Sequence, residues 1–288
     1  MIHASARTVT DLPFALPLRD QAASLLTLAP PTALVGLQPL LDSAVLHTSR
    51  SVVQCLAQSP RREARELLQA TLKRQVFQLW VTTLLIEGAP EPLDRQGTAC
   101  EYLKLCLENA RERSRKLIFD ILAGLETPKV IRSVEKVLRF SNLRARADAL
   151  EVLSNLGDRE AAQLLVLYLE TGDFHERAQQ LPVHLVRQAD WREFVASPLA
   201  HNDPWLRQAL VWMESLEPQQ EEQVERILVL RKVPLFAQMS LEQLVAIDQR
   251  LEEVEYLPGE VVFEEGQLGA ELYILLDGAV RIVKARNT

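Results

Sequence analysis

Shifted by 31 residues, the middle of the chain lies on itself: Arg115 falls on Arg146, Phe119 on Leu150, Asp120 on Glu151, Ile121 on Val152, Leu122 on Leu153 and Leu125 on Leu156. The register survives the turn, where Thr127 falls on Asp158, Val134 on Leu165, Val137 on Tyr168 and Leu138 on Leu169. Apolar residues at three- and four-residue steps on both sides of that turn predict a two-helix unit that occurs twice. The turns carry helix-start chemistry. Thr127 is placed to cap a helix with Pro128 at its first position, where a missing N–H costs nothing. In the second copy Gly157 can end one helix in the left-handed conformation and Asp158 can cap the next.

A looser third copy is predicted through Leu206, Leu210, Met213 and Leu216 into Val224, Ile227 and Leu228. It follows an irregular insert that holds Asp173, Pro182, Trp191 and Pro198. Trp205 and Trp212, two turns apart on one helix, read as core. Upstream, Leu67, Leu68, Leu72, Val76, Leu79 and Trp80 give a long helical pattern over Pro60 to Glu87. Gln21 to Leu28 and Pro31 to Leu46 read as shorter apolar helices, and Ala89-Pro90-Glu91-Pro92 reads as a loop.

Near residue 250 the period changes. Ser240 with Gln243 makes a capping box before Leu241, Leu244, Val245 and Leu251, which share a helix face. After it Val254, Tyr256, Val261, Phe263, Leu272, Ile274, Leu276, Val280 and Ile282 alternate within short segments, as strands do. Pro258-Gly259 suits a type II turn. Asp277-Gly278 predicts a hairpin that pairs Tyr273–Leu276 with Ala279–Ile282.

With 48% apolar and 25% charged residues the composition is that of a globular protein. The longest mainly apolar stretch, Val76 to Ile86, falls far short of the roughly 20 residues a membrane span needs, and the N-terminus does not read as a secretory signal. These features predict a cytoplasmic protein. Cys55, Cys100 and Cys106 form no C-x-x-C pair, and His3, His47, His175, His184 and His201 are scattered, so no metal site is predicted. No P-loop, G-x-S-x-G or G-x-G-x-x-G is present, so no catalytic residue is assigned and no enzyme is expected.

The net charge of -7 is unevenly placed. From Glu217 to Glu265 twelve acidic residues face Arg226, Arg231, Lys232 and Arg250, a local balance of -8 that argues against nucleic acid at this end. Conversely, between Arg111 and Arg146 ten basic residues (Arg111, Arg113, Arg115, Lys116, Lys129, Arg132, Lys136, Arg139, Arg144, Arg146) face Glu112, Asp120, Glu126 and Glu135. The plain reading is a solvated face. A patch for an acidic partner, lipid headgroups or RNA is the functional one.

Two resemblances follow from these residues. The helical unit, with the R-A-x-A-L-E-x-L rhythm of Arg146 to Leu153, resembles a HEAT repeat over Ala110 to Leu230, which implies an α-solenoid that docks protein partners. The run Tyr256, Pro258, Gly259, Glu260, Phe263, Glu265, Gly266, Gly269, Leu272 to Leu276, Gly278 and Val280, with its lead-in from Val233 to Leu244, resembles the first half of a cyclic nucleotide-binding domain. That family implies a jelly-roll barrel whose later helix, loop and arginine hold the cyclic phosphate. No residue of this sequence matches that cassette, so no nucleotide contact is carried over and no cofactor is assigned to this chain. Cyclic AMP or cyclic GMP is expected only where the domain is completed. Gly259, Gly266 and Gly278 are then scaffold residues that turn strands, and Glu260, Glu264 and Glu265 are solvated side chains at strand ends.

The expectation is a mostly α protein, a HEAT-like α-α solenoid with a small C-terminal partial β jelly-roll. It divides into a helical region at 1–90, helical repeats at 91–230 and the partial module at 231–288. Half a jelly roll leaves an apolar face uncovered, which predicts a fragment of a longer product or a C-terminus that leans on the solenoid or a partner. The function expected is non-enzymatic regulation, with a protein partner on the repeats. The alternatives are a transporter's regulatory tail at the cytoplasmic face of a membrane, and an interaction module that binds no nucleotide.

Overall fold

The computed structural model describes residues Ile2–Ser5, 34, 36–88, 97–140, 142–156, 158–214, 221–269 and 271–283. The described chain is mostly helical and divides into two compact units, Pro13–Leu216 and Met1–Leu12 with Glu217–Thr288. The expected helix over Gln21 to Leu28, the loop at Ala89 to Pro92 and the conformation of Gly157 lie outside the described residues.

The larger unit is built on two long helices. After the short helix α1 (Gln38–Leu41) and α2 (Leu46–Gln58) come α3 (Arg62–Glu87) and α4 (Gly97–Leu125), which pack along each other. Arg65 near the start of α3 lies 3.7 Å from Glu126 just past the end of α4, so the two run antiparallel. The C-terminal half of α3 is buried on nearly every side by Val76, Leu79, Trp80, Val81, Leu85 and Ile86. Its buried threonines are tolerated because their hydroxyls bond back along the helix, Thr82 to the Gln78 carbonyl and Thr83 to that of Leu79, both at 2.7 Å.

The 31-residue repeat appears as four consecutive helices. α5 (Pro128–Phe140) packs on α4 and on α6 (Leu143–Ser154), which packs on α7 (Arg159–Leu169). Pro128 and Arg159, which open α5 and α7, stand 31 residues apart. The Asp158 carboxylate accepts from the Ala161 amide at 3.0 Å, as an N-cap does. Arg146 ties the copies together, donating to the Leu138 carbonyl near the end of α5 and to the Leu169 carbonyl at the end of α7. α7 also returns to α3. The Trp80 indole, wholly buried, donates to the Leu164 carbonyl at 2.9 Å and meets the Tyr168 ring edge-on at 5.3 Å.

The stretch expected to be irregular is instead four short helices: α8 (Phe174–Ala178), α9 (Val183–Gln188), α10 (Trp191–Val195) and α11 (Pro198–Asn202). Asp173, Asp190 and Ser197 cap three of them, each side chain accepting a first-turn amide. Proline and aspartate here start helices rather than prevent them. α12 (Pro204–Glu214) then returns to α4, where buried Trp212 meets Tyr102 edge-on at 6.1 Å. The two halves of the expected third pair fall in different units: α12 belongs to this one, and Val224, Ile227 and Leu228 are buried residues of the other.

In the smaller unit α13 (Glu221–Lys232) packs on α14 (Leu241–Asp248) through those residues with Leu230, Phe236, Leu241 and Leu244. Buried Asp248 accepts from Arg226 at 2.8 Å and Gln223 at 3.2 Å. The capping box at Ser240 is formed in both directions. Leu251, expected on the helix, instead opens β2 (Leu251–Glu253), because α14 closes at Asp248 with Gln249 as its cap.

The sheet has three short strands in the order β2-β1-β3, where β1 is Ile2–Ser5 and β3 is Glu271–Ile274. Both pairings are antiparallel, with Ile2 opposite Glu253 on one side and Ile274 on the other. The hairpin after Asp277-Gly278 is not formed: β3 finds its partner in the N-terminal strand, and none of 279–283 is paired. Val254, Tyr256, Val261 and Phe263 likewise lie outside strands.

Replacing Trp80 by Ala removes the largest side chain shared by α3 and α7. Urea unfolding is expected to show a loss of about 3–5 kcal/mol; a loss below about 1 kcal/mol would mean that this contact does not hold the unit.

Candidate functional site

The residues singled out by the cyclic nucleotide-binding resemblance sit in tight turns. Gly259, Gly266 and Gly278 have φ of 93, 91 and 88°. A Cβ added at any of them would meet nothing within 4 Å, so backbone conformation and not packing is what calls for glycine there. Glu260 has a more definite place than a solvated strand end. Its carboxylate accepts from the Leu257 amide at 2.7 Å while its own amide donates to the Leu257 carbonyl at 3.0 Å, which closes the Pro258-Gly259 turn from both sides. Gln267 does the same for the Glu264 amide at 3.1 Å. Phe263 stacks on Tyr273 at 6.1 Å, and the Tyr273 hydroxyl, donating to Glu271 at 2.6 Å, is pushed up to about 12.

Large apolar side chains are exposed along this segment. Leu257, Val261, Phe263, Leu268, Val280 and Ile282 are each more than half accessible, Leu268 fully. Between Leu251 and Val280 there are eight carboxylates and no Lys or Arg. The surface is both apolar and anionic, which suits neither a phosphate nor a nucleic acid.

Nine of the ten basic residues between Arg111 and Arg146 separate into two sets; the tenth, Arg111 on α4, is half-buried. Arg113 pairs with buried Asp203, Arg115 with Glu112 and Glu135, Lys116 with Glu112, Arg139 with Glu135, and Arg146 caps two helices. Lys129, Arg132 and Lys136 are exposed along the outer side of α5, and Arg144 is exposed in the first turn of α6. None of these four is paired with another described residue.

Arg113 and Asp203 form the most buried ion pair among the described residues, with side chains 11% and 3% accessible. The Asp203 carboxylate also accepts the Trp205 and Leu206 amides that open α12, and Arg113 donates to the Ala44 carbonyl at 3.1 Å. Each buried charge is thereby satisfied, and leaving one unpaired costs several kcal/mol. Beside this pair a cavity of about 70 Å³ is lined by Asp42, Arg74, Gln75, Arg113 and Asp203 among others, and Arg74 is itself paired with Asp42 at 2.9 Å.

Cys55 and Cys106 are buried and Cys100 half-buried. Burial, then the charge of Asp203, pushes the Cys106 thiol far up, which favours its neutral form. Burial likewise raises the Tyr102 hydroxyl beside it. Among the described residues no group of three His, Cys, Asp or Glu converges as a metal site would, and no helix is long and apolar enough to cross a membrane. Trp212 is core as expected and Trp205 is half-buried. Sequence reasoning missed Gly124 in the last turn of α4, where an added Cβ would lie 2.7 Å from that of Ala57. A glycine so close to a helix end reads as a terminator, so the sequence carries no local signal for that close approach of α2.

The turn geometry separates the glycines. Gly278→Ala places a side chain at positive φ and is expected to cost about 1–2 kcal/mol, whereas Gly269, outside that region, should accept Ala within about 0.5 kcal/mol. Native-state hydrogen exchange of the amides around 251–283 reads both; equal costs would contradict the assignment.

The chain matches no family model, no curated protein and no solved structure.

Proposed function

We propose that this chain is a non-enzymatic regulatory scaffold. Its HEAT-like helical pairs dock a protein partner, and residues 233–283 form the opening part of a cyclic nucleotide-binding-like module. The observation that carries the reading is the conformation of the motif glycines: Gly259, Gly266 and Gly278 all take the positive φ that strand-turning residues of such a module need. The order of turns supports it as well, with Glu260 locking the Pro258-Gly259 turn. The repeated pairs α4–α5 and α6–α7, whose second helices start 31 residues apart, support the docking half. In this reading α13 is the coupling element. It carries a buried apolar face, and its Arg226 holds buried Asp248 of α14, so a change in the module reaches it through packed contacts. A nucleotide shifts such an element only by as much as it prefers one arrangement over the other.

A second reading, an interaction module that binds no nucleotide, is favoured by one observation: the segment 251–280 exposes carboxylates and large apolar side chains with no basic residue among them. Calorimetric titration of the full gene product with cyclic AMP and cyclic GMP separates the two. Saturable binding of either nucleotide supports the sensing module; no heat from either at millimolar concentration overturns it and leaves the interaction module.

A further inference from the structure

Resting on the docking half of that reading, we propose that the outer side of α5, with the first turn of α6, is the docking surface, and that its partner is a short acidic, partly apolar segment of another protein.

Ile131, Val134 and Leu138 fix which side of α5 faces the core, all being under 9% accessible. At 100° per residue, Lys129, Arg132 and Lys136 fall within an arc of about 60° on the opposite side. All three are exposed, and none is paired with another described residue, whereas every other cation on α5 is: Arg139 is held by Glu135. Arg144, in the first turn of α6, is likewise exposed and without a described carboxylate partner. The positive end of a thirteen-residue helix lies at Lys129 and adds to the same field. Cations gathered on one line while their neighbours are neutralised mark an anion-complementary strip.

Its size and its apolar margin choose among anions. From Lys129 to Lys136 the helix rises about 10 Å, the reach of about three extended residues. Val130 and Leu143, 46% and 73% accessible, give the partner's apolar side chains somewhere to rest. A polyanion such as RNA, or a membrane surface, requires a wide basic face, which Arg115, Lys116 and Arg139 do not extend because Glu112 and Glu135 hold them. A short peptide needs only the strip. Specificity then comes from register, carboxylates against Lys129, Arg132 and Lys136 alternating with apolar residues against Val130 and Leu143.

The probe is a fluorescein-labelled peptide in which Glu alternates with Leu and Phe, followed by fluorescence anisotropy. Wild-type protein is expected to bind it, more weakly as salt rises. The triple substitution Lys129→Glu, Arg132→Glu and Lys136→Glu should weaken binding by about tenfold or more. The control triple Arg62→Glu, Arg187→Glu and Arg207→Glu makes the same change in net charge elsewhere and should leave binding within about twofold. Equal losses in the two triples, or no binding by wild type, overturn the proposal. So does tighter binding of a single-stranded oligonucleotide or a phosphatidylserine vesicle that is lost in the α5 triple. If the α5 triple does not fold, chemical-shift mapping on wild type decides: shifts centred on residues 129–144 support the assignment and shifts elsewhere refute it. Partner capture that persists unchanged in a folded α5 triple leaves the docking reading standing and removes only this surface.

Discussion

The antiparallel contact between α3 and α4 is the constraint on which the larger unit depends. Each is longer than any other helix described, and between them they bury Leu68, Leu72, Val76, Leu79, Leu103, Leu107, Leu117, Ile118, Ile121 and more. At about 1.5–3 kcal/mol for each large side chain withdrawn from water, no other pair of elements in the unit withdraws as much. Five further helices pack directly on this pair: α2, α5 and α12 on α4, and α7 and α9 on α3. Three particular devices set those attachments: Gly124, which lets α2 come close, the Trp80 indole on the Leu164 carbonyl, and the Arg113–Asp203 pair that opens α12.

Much of this was legible in the sequence because it is written in short-range chemistry. The helical period over 60–87, the Asp158 cap and the Ser240 capping box involve residues within one or two turns of each other, and local patterns report them faithfully. What was not legible is long-range. A strand of four residues at Ile2–Ser5 carries too little alternation to announce itself, yet it pairs with residues some 250 positions away. The Asp277-Gly278 signal states only that the chain can reverse there, and the ladder partner of β3 comes from the other end of the sequence. The segment at 173–202 misled for a different reason. Asp173, Pro182, Trp191 and Pro198 mark the insert as irregular by sequence, whereas Asp173 and Pro182 stand at helix N-caps and Trp191 and Pro198 each open a helix of one turn or so.

The candidate surfaces were legible to a similar degree. The basic run was visible by composition, but composition could not tell Arg113, which satisfies a buried aspartate, from Lys129, which faces water. Only packing sorts structural cations from available ones, and that sorting turns a charge count into a strip with a direction. The glycines of the C-terminal motif were readable as turn residues. The reciprocal bond of Glu260 across its turn was not, since a lone carboxylate beside Pro-Gly has many uses.

That α3 and α4 form the foundation of the larger unit is tested most directly by native-state hydrogen exchange of the intact chain. The slowest amides of Pro13–Leu216 are expected in α3 and α4, opening only with global unfolding, while those of α8 to α11 exchange through smaller fluctuations. Amides in the buried half of α3 exchanging as fast as those of the short helices would contradict that role.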